Sequence, residues 1–429
     1  MTDVLVIGFG PAGASAAIAA HDAGASVSVV EKMPYGGGNC LNSGGFLFDV
    51  DGPRAVEHLD ALCFGKTPRD VLETYVAGLH EVPSWIASLG GATAPVNIET
   101  FMGMLPSWPH FPGAGHVTYR QVVPGDGERP GPALFRVLRE AVERRGIEVR
   151  YDSPVTELPD DGRPVVLAAG GFEYDAELRD TYLPLPLTAV GHPGNSGDAI
   201  RLAQQAGASL WHMSAFFGWF AFRHPDHVAA FPLDVHAPSF IYVDGDGRRF
   251  ADETGWEVHD KLRCLTTYLP RRRNRPRMPG YLVFDERARL AGPLNGIVGT
   301  PNDYVWSADN SAELDAGWIR PVEEIGAPEL ERTLREYGAV PDELGRDPRS
   351  IVALEPPLYA IEIIPAVATA SGGPRRDAQA RAVRSDGTPI PGLYAVSGSI
   401  WGHLTEHGGG LTEAIVFGRI AGEGAASSA

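Results

Sequence analysis

Gly8, Gly10 and Gly13 stand at G-x-G-x-x-G spacing in Gly8-Phe9-Gly10-Pro11-Ala12-Gly13, and an acid, Glu31, follows roughly twenty residues later. Each of these residue types has a job at that spacing. Gly8 permits a tight turn, and Gly10 lets backbone N–H groups approach a pyrophosphate. Gly13 lets a helix lie close to a strand, and Glu31 accepts hydrogen bonds from a ribose. This chemistry needs a strand before the turn and a helix after it. Asp3-Val4-Leu5-Val6-Ile7 is a continuous apolar run, the pattern of a strand buried on both faces. Ala14 to Ala23 is a small-residue helical stretch that ends at Gly24, and Ser26-Val27-Ser28-Val29-Val30 is a second strand. The helix N-terminus then turns its positive dipole end to the phosphates. The unit therefore binds a dinucleotide. It does not choose between FAD and NAD(P), although Glu31 disfavours a 2′-phosphate and makes NADP the poorest fit.

The rest of the chain bounds the setting. Its 429 residues suffice for two domains, or for one large domain with an insertion. Hydrophobic residues make up 44% and charged residues 21%, as in folded proteins. The net charge of −18 excludes a general attraction to nucleic acid or to an anionic membrane. The local exception, Arg271-Arg272-Arg273-Asn274-Arg275-Pro276-Arg277, reads as a solvated loop, with a docking site for an acidic partner as the alternative. Cys40, Cys63 and Cys264 form no paired framework, which points to a reducing compartment and hence the cytoplasm. The first strand leaves no room for a signal peptide, and no apolar run reaches bilayer length. Gly424 to Ala429 reads as a frayed tail.

Tyr35-Gly36-Gly37-Gly38-Asn39-Cys40-Leu41-Asn42-Ser43-Gly44-Gly45-Phe46 implies a backbone that passes close to something bulky. From this loop onward the chain resembles the FAD-dependent fumarate reductase and 3-ketosteroid dehydrogenase superfamily. Asn39 and Ser43-Gly44-Gly45 match its G-G-x-S/T-x-x-S-G-G loop, with Asn39 where many members have Ser or Thr. Val165 to Gly171 resembles its V-x-x-A-T/A-G-G strand, and Gly194 to Ile200 its T-G-D-G-I helix start. Arg248 to Glu253 resembles G-R-R-F-V-N-E, Tyr281 to Asp285 resembles W-x-I-F-D, and Glu355 to Ala360 resembles P-P-F-Y-A. Pro391 to Ser399 and Gly408 to Arg419 resemble the closing P-G-L-Y-A-A-G-E and G-G-N-S-L-x-E-A-x-V-F-G-R segments. The matches run in order along nearly the whole chain.

The resemblance implies an α/β protein with a Rossmann-like FAD-binding domain and an inserted α+β cap domain. The FAD-binding domain would comprise 1–210 and the return segment 356–429, with the cap at 211–355. It selects FAD over NAD, and the absence of histidine from Gly36 to Gly45 makes the attachment non-covalent. The FAD-binding residues it implies are Gly8, Gly10, Pro11, Ala12, Gly13, Glu31, Lys32, Gly38, Asn39, Ser43, Gly44, Gly45, Val155, Ala169, Gly170, Asp198, Gly398, Gly409, Gly410 and Leu411. The last three begin a helix aimed at the flavin, where a positive end stabilises the reduced anion.

Flavin accepts or gives hydride at N5, so the protein must supply an acid or base and polarise a carbonyl. The cations that fumarate reductases place around a dicarboxylate have no counterparts here. Thr254-Gly255-Trp256-Glu257-Val258-His259-Asp260 has no arginine, Ala368 to Gly373 no histidine, and Thr405 to Gly409 no arginine. The ketosteroid dehydrogenases' late Tyr-Pro-Gly-Pro-Gly is replaced by Trp401-Gly402-His403-Leu404-Thr405-Glu406-His407-Gly408, which matches only the final glycine. His403 and His407 are the polar groups closest to that place, able to donate to a carbonyl or move a proton near neutral pH, and Glu406 can orient one of them. Tyr119 is a further candidate, with Tyr242 and His259 behind it. The loop-rich stretch 95–131, which carries Trp108, His110, Phe111, His116 and Tyr119, is a candidate wall of the substrate cleft. The aromatic segment Trp211 to Phe222 is either the core of the second domain or an apolar wall for a flat substrate. His212, His224, His227 and His236 fit no compact metal-ligand spacing.

The expected function is an FAD-dependent dehydrogenase or desaturase of CH–CH groups, acting on a hydrophobic cyclic carbonyl compound. The alternatives are an ene-reductase of an enone, a flavin-assisted isomerase or dehydratase without net redox change, and a non-redox protein that holds FAD as a binding element. The electron acceptor or donor is not specified by the sequence.

Overall fold

The computed structural model describes residues 3–428 apart from 53, 98–107, 254–256, 258, 260, 272–273, 297–298 and 339–341. Arg272 and Arg273 of the basic run, the 98–107 part of the loop-rich stretch, and Thr254, Gly255, Trp256, Val258 and Asp260 lie outside the described residues.

The first βαβ unit forms as its sequence dictates. Strand Asp3–Ile7 pairs in parallel with Ser26–Val30, Leu5 opposite Ser28, and helix Pro11–Asp22 connects them. Pro11 opens that helix, where its missing N–H costs nothing. The sheet order is Arg381–Val383, Pro389–Ala395, Val165–Leu167, Asp3–Ile7, Ser26–Val30, Glu148–Arg150, parallel except for the hairpin at the Arg381 edge. Val4 and Val6 are fully buried, as a strand covered on both faces requires. Val155 lies in a loop.

The covering helix is the C-terminal one, Gly409–Ala426, which lies on Pro11–Asp22. A Cβ at Gly418 would stand 2.6 Å from the Ala12 carbonyl oxygen, and one at Gly422 2.2 Å from that of Ala16. These two glycines let the helix backbones touch. The end of the chain is correspondingly more ordered than expected. Gly424 to Ala426 continue the helix, because Ala421 and Ala425 are fully buried and hold its last turns to the core.

The second sheet is built around the 13-residue strand Leu358–Ala370. It runs Phe231–Pro232, Phe216–Phe222, Leu358–Ala370, Gly280–Asp285, Phe240–Asp244, with Arg320–Pro321 and Thr188–Ala189 also pairing with the long strand. The cap boundary expected at 355 therefore falls ahead of a strand that pairs inside the cap's own sheet, Leu282 opposite Ile361. The chain rejoins the first sheet only at Arg381–Val383. Thr188–Ala189 likewise pairs with that long strand before residue 210. The aromatic segment divides between the cap core and the cleft through the two-residue strand period. Phe216 and Phe220 enter the cap core, while Phe217 and Trp219 face a cleft between the two sheets. A third, antiparallel sheet, Phe46–Val50, Val117–Val122 and Thr93–Pro95, carries Tyr119. Among the described residues no helix is long and apolar enough to cross a membrane.

Candidate active site

One continuous cleft runs from the first βα turn to the cap. At its start Gly8 has φ +102°, and a Cβ there would stand 2.4 Å from the Ala168 carbonyl oxygen. Gly10 faces open space, with no atom nearer than 3.8 Å to the Cβ it lacks. Pro11, Ala12, Gly38, Ser43, Gly44, Gly45, Val155, Ala169, Gly170, Gly398, Gly410 and Leu411 line the same cleft. Gly13 and Gly409 do not. Gly13 sits against the Gly8 carbonyl, and Gly409 lies under the Trp401 indole, so both serve packing.

The polar side chains of this half are held firmly. Glu31 accepts the backbone N–H groups of Phe9 at 2.8 Å and Met33 at 2.9 Å. Each carboxylate oxygen retains a lone pair for a ribose hydroxyl. Lys32 donates to Ser196 Oγ and to Asp198 Oδ2, the latter at 2.6 Å. Asn39 joins the glycine loop to the long cap strand. Its Nδ2 donates to Glu173 Oε1 at 2.9 Å and to the Ala368 carbonyl at 3.0 Å, and its Oδ1 accepts the His192 N–H at 2.6 Å. Ser43 caps its own turn by donating to the Cys40 carbonyl.

Sequence reasoning missed Glu173 and His192, which lie beyond the motif positions, and gave no role to Asn195 within the Gly194 to Ile200 segment; the three meet only in three dimensions. Asn195 donates to the same Glu173 oxygen as Asn39, at 2.7 Å. Burial pushes the Glu173 carboxyl up, and the two amides pull it back. His192 Nδ1 accepts the Gly194 N–H at 3.1 Å, so its proton sits on Nε2. That Nε2, like Ser397 Oγ, is buried without a partner, and both residues line the cleft. Two orphaned polar atoms facing a glycine-lined cradle fit a cofactor rich in phosphate and hydroxyl oxygens. Below the cradle, Arg376 donates to Glu413 and to the Gly398 carbonyl, and Glu413 also accepts the Ile400 N–H at 2.8 Å. This buried pair fastens the 397–401 loop to the C-terminal helix.

At the cap end the expected catalytic residues divide. His407 and Glu406 line the cleft. His403 does not: its ring stacks on the exposed Phe64 at 4.2 Å, which corrects the expectation that it faces the reaction. Tyr119 stands behind Glu406 and donates to its Oε2 at 2.8 Å. Tyr242 is packed in the cap core. His259, ranked low from sequence, lines the cleft with its ring stacked on Phe217 at 3.7 Å. Its Nδ1 meets Glu257 Oε1 at 2.6 Å, and its backbone N–H donates to Glu257 Oε2 at 2.7 Å. His407 Nε2 lies 3.4 Å from the same carboxylate. Of the loop-rich stretch, Trp108 and Phe111 stack on each other near His58 rather than in the cleft. His212 Nδ1 donates to the Ser399 carbonyl at 2.7 Å and so supports that loop.

Burial governs the imidazoles. It pushes His407 down to about 3, His192 down to about 4, and His259 well below the usual range. All three are neutral at pH 7. In the unfolded chain each binds a proton near pH 6.5, so the unfolded state takes up protons first as the pH falls. Their stabilising contribution is complete above about pH 6.5 and declines below it, by roughly 1.4 kcal/mol per pH unit for each histidine. The urea midpoint is expected to drop steeply between pH 6.5 and 4.5. His192→Phe is expected to make that slope shallower, and an unchanged midpoint over this range contradicts the assignment.

The known proteins similar to this chain agree with the cleft. The model of an FAD binding domain family matches residues 3–410. A probable fumarate reductase, Ifc3, of Shewanella frigidimarina is 26% identical, over 100% of this chain and 75% of that protein. The 4-oxocyclohexanecarboxylate 2-dehydrogenase of Sinomonas cyclohexanicum is 26% identical over 92% and 87%. Among solved structures, 3-ketosteroid delta1-dehydrogenase from Sterolibacterium denitrificans, in complex with 1,4-androstadiene-3,17-dione, superposes with a TM-score of 0.83 at 22% identity, covering both chains fully. The glycine cradle, its orphaned donors and the family match over nearly the whole chain lead to one conclusion: the chain belongs to the FAD binding domain family and is an FAD-dependent oxidoreductase of CH–CH groups, akin to the fumarate reductases and 3-ketosteroid dehydrogenases.

Proposed function

We propose that this enzyme dehydrogenates a hydrophobic cyclic ketone at the carbon–carbon bond beside its carbonyl. The observation that carries this reading is the make-up of the cap end of the cleft. Phe217, Trp219 and Trp401 are among its walls, His259, His407, Thr405 and Glu406 are among its polar groups, and among the described residues no arginine lines it. The lysine in the cleft, Lys32, is paired with Asp198 at the nucleotide end. A dicarboxylate entering this space would find no counter-charge and would lose its hydration without compensation. A flat ring with one carbonyl loses little. The relatives that act on 4-oxocyclohexanecarboxylate and on 3-oxosteroids support the same substrate class.

FAD, when bound, supplies the hydride acceptor. Glu31 and Lys32 would hold its nucleotide end, the Gly8–Gly13 turn its pyrophosphate, and the Asn39 loop and the Gly408–Gly410 helix start its flavin. Gly408 itself has φ +73°, and a Cβ there would stand 2.6 Å from Phe46 backbone atoms. His407, kept neutral by burial, donates an N–H to the ketone oxygen as negative charge grows there. The stacked aromatic walls exclude water and hold the ring in place. Cys40 and Cys63, buried and outside any disulfide, suit a reducing, cytoplasmic setting.

His407→Phe is expected to retain its FAD and to lower kcat for a cyclic ketone by roughly 100- to 1,000-fold, the usual effect of losing one such donor. Steady-state assay with an artificial electron acceptor checks this. Activity within 3-fold of wild type, by this estimate, removes His407 from the site.

A further inference from the structure

Glu406 and His58 face each other in the interior, at 1% and 0% exposure. Glu406 lines the cleft, while His58 lies behind it on helix Ala55–Cys63. His58 Nε2 and Glu406 Oε1 are 2.6 Å apart. His58 Nδ1 lies 3.3 Å from the Pro112 carbonyl oxygen. A carbonyl only accepts, so Nδ1 carries a hydrogen. The Nε2–Oε1 contact then needs one more proton, and there are two places for it. It sits on Glu406, a neutral acid donating to imidazole, or on His58, an imidazolium donating to carboxylate. The two forms have the same net charge and differ only by a proton shift along one hydrogen bond.

The surroundings act on the Glu406 carboxyl in opposite directions, with the upward one winning. Burial pushes Glu406 up, while His58 and the Tyr119 hydroxyl draw it down. The other titratable groups that face it are Glu257, His259 and His407 at the cap end and Tyr75 from helix Arg69–Leu79. Glu257 opposes a second negative charge on Glu406. His407 does not compete for the proton, because burial holds it neutral.

We propose that Glu406, held by its 2.6 Å hydrogen bond to His58, is the base that takes the proton from the substrate carbon beside the carbonyl, and that His58 is its positioning residue. The proposal rests on the dehydrogenase reading above. The C–H bond at that carbon breaks, and the proton forms an O–H bond on Glu406. The electron pair left behind becomes the new C=C bond as the hydride on the neighbouring carbon leaves for the cofactor. Loss of the Glu406 proton to water after the product departs restores the pair.

The test is anaerobic stopped-flow reduction of the oxidised holoenzyme by cyclohexanone, 4-oxocyclohexanecarboxylate and 4-androstene-3,17-dione across a pH range. In wild type the limiting rate falls at low pH as Glu406 takes its second-site proton. Glu406→Gln, which keeps size and hydrogen bonding, is expected to lower the rate at least about 100-fold and to erase that acid limb. His58→Asn removes the hydrogen bond that draws the Glu406 carboxyl down, so the limb moves to higher pH. Tyr119→Phe removes the other donor and moves the limb the same way, which covers the case in which His58→Asn does not fold. A purely structural role for these partners lowers the rate without moving the limb. Bleaching by none of the three ketones overturns the dehydrogenase reading and the base with it. Bleaching by a ketone with Glu406→Gln within about 10-fold of wild type, or with the limb unmoved in Tyr119→Phe, overturns the base alone.

Discussion

Gly13→Ala protein is expected to purify with little or no FAD and to unfold at lower urea than wild type. The added Cβ would stand 1.9 Å from the Gly8 carbonyl oxygen and 3.3 Å from Val6 Cγ1. Helix Pro11–Asp22 would have to rise from the strand to make room. It cannot do so freely, because its other side meets Gly418 and Gly422 of the C-terminal helix at backbone distance. Overpacking of this kind costs about 1–3 kcal/mol, and more where neither side yields. The shift also moves the N–H groups that face the pyrophosphate. Gly115→Ala is the control, since nothing lies within 4 Å of its missing Cβ. Flavin absorbance relative to protein is expected to fall in the first variant and not in the second. Full FAD content in Gly13→Ala contradicts the close contact.

Arg376→Leu is expected to destabilise the protein by about 3–5 kcal/mol, because it strands the Glu413 carboxylate in the interior. Arg376 is 1% exposed and Glu413 3%. The guanidinium also lies over the Phe417 ring at 4.2 Å, so packing is lost with the charge. Arg145→Leu offers the contrast. Its partner Asp22 is half exposed, and such surface pairs contribute at most about 1 kcal/mol. Urea unfolding of the two variants is expected to separate them clearly. A second change, Glu413→Gln, is expected to recover part of the loss in Arg376→Leu, since it removes the unpaired charge. Equal midpoints for Arg376→Leu and Arg145→Leu contradict the role given to the buried pair.

The nucleotide half of the cleft was legible in the sequence because its requirements are local. A tight turn and a close helix each fix a residue type at a set spacing, and Gly8 and Gly13 stand where the motif puts them. Glu173 and His192 carried no such mark. Their partners Asn39 and Asn195 lie far off in the chain or in an adjoining loop, and only the folded cleft brings them together. The cap end was the least legible. His403 and His407 are four residues apart and chemically identical, and nothing local says that the first stacks outward on Phe64 while the second turns inward. His259 gained its place through Glu257 and Phe217, which hold its ring over the cleft. His58, near the start of the chain, reached Glu406, near its end, through tertiary packing alone. The motif at Glu355 to Ala360 gives no sign that the strand it opens, Leu358–Ala370, pairs with Gly280–Asp285 in the second sheet.

The account turns on which compound the cap end of the cleft accepts. Anaerobic titration of the oxidised holoenzyme, followed by flavin absorbance, decides it most directly. With 4-androstene-3,17-dione or a simpler cyclohexanone the flavin band is expected to bleach, and with succinate it is expected to stay unchanged. Bleaching by succinate, with the ketones inert, would contradict the account.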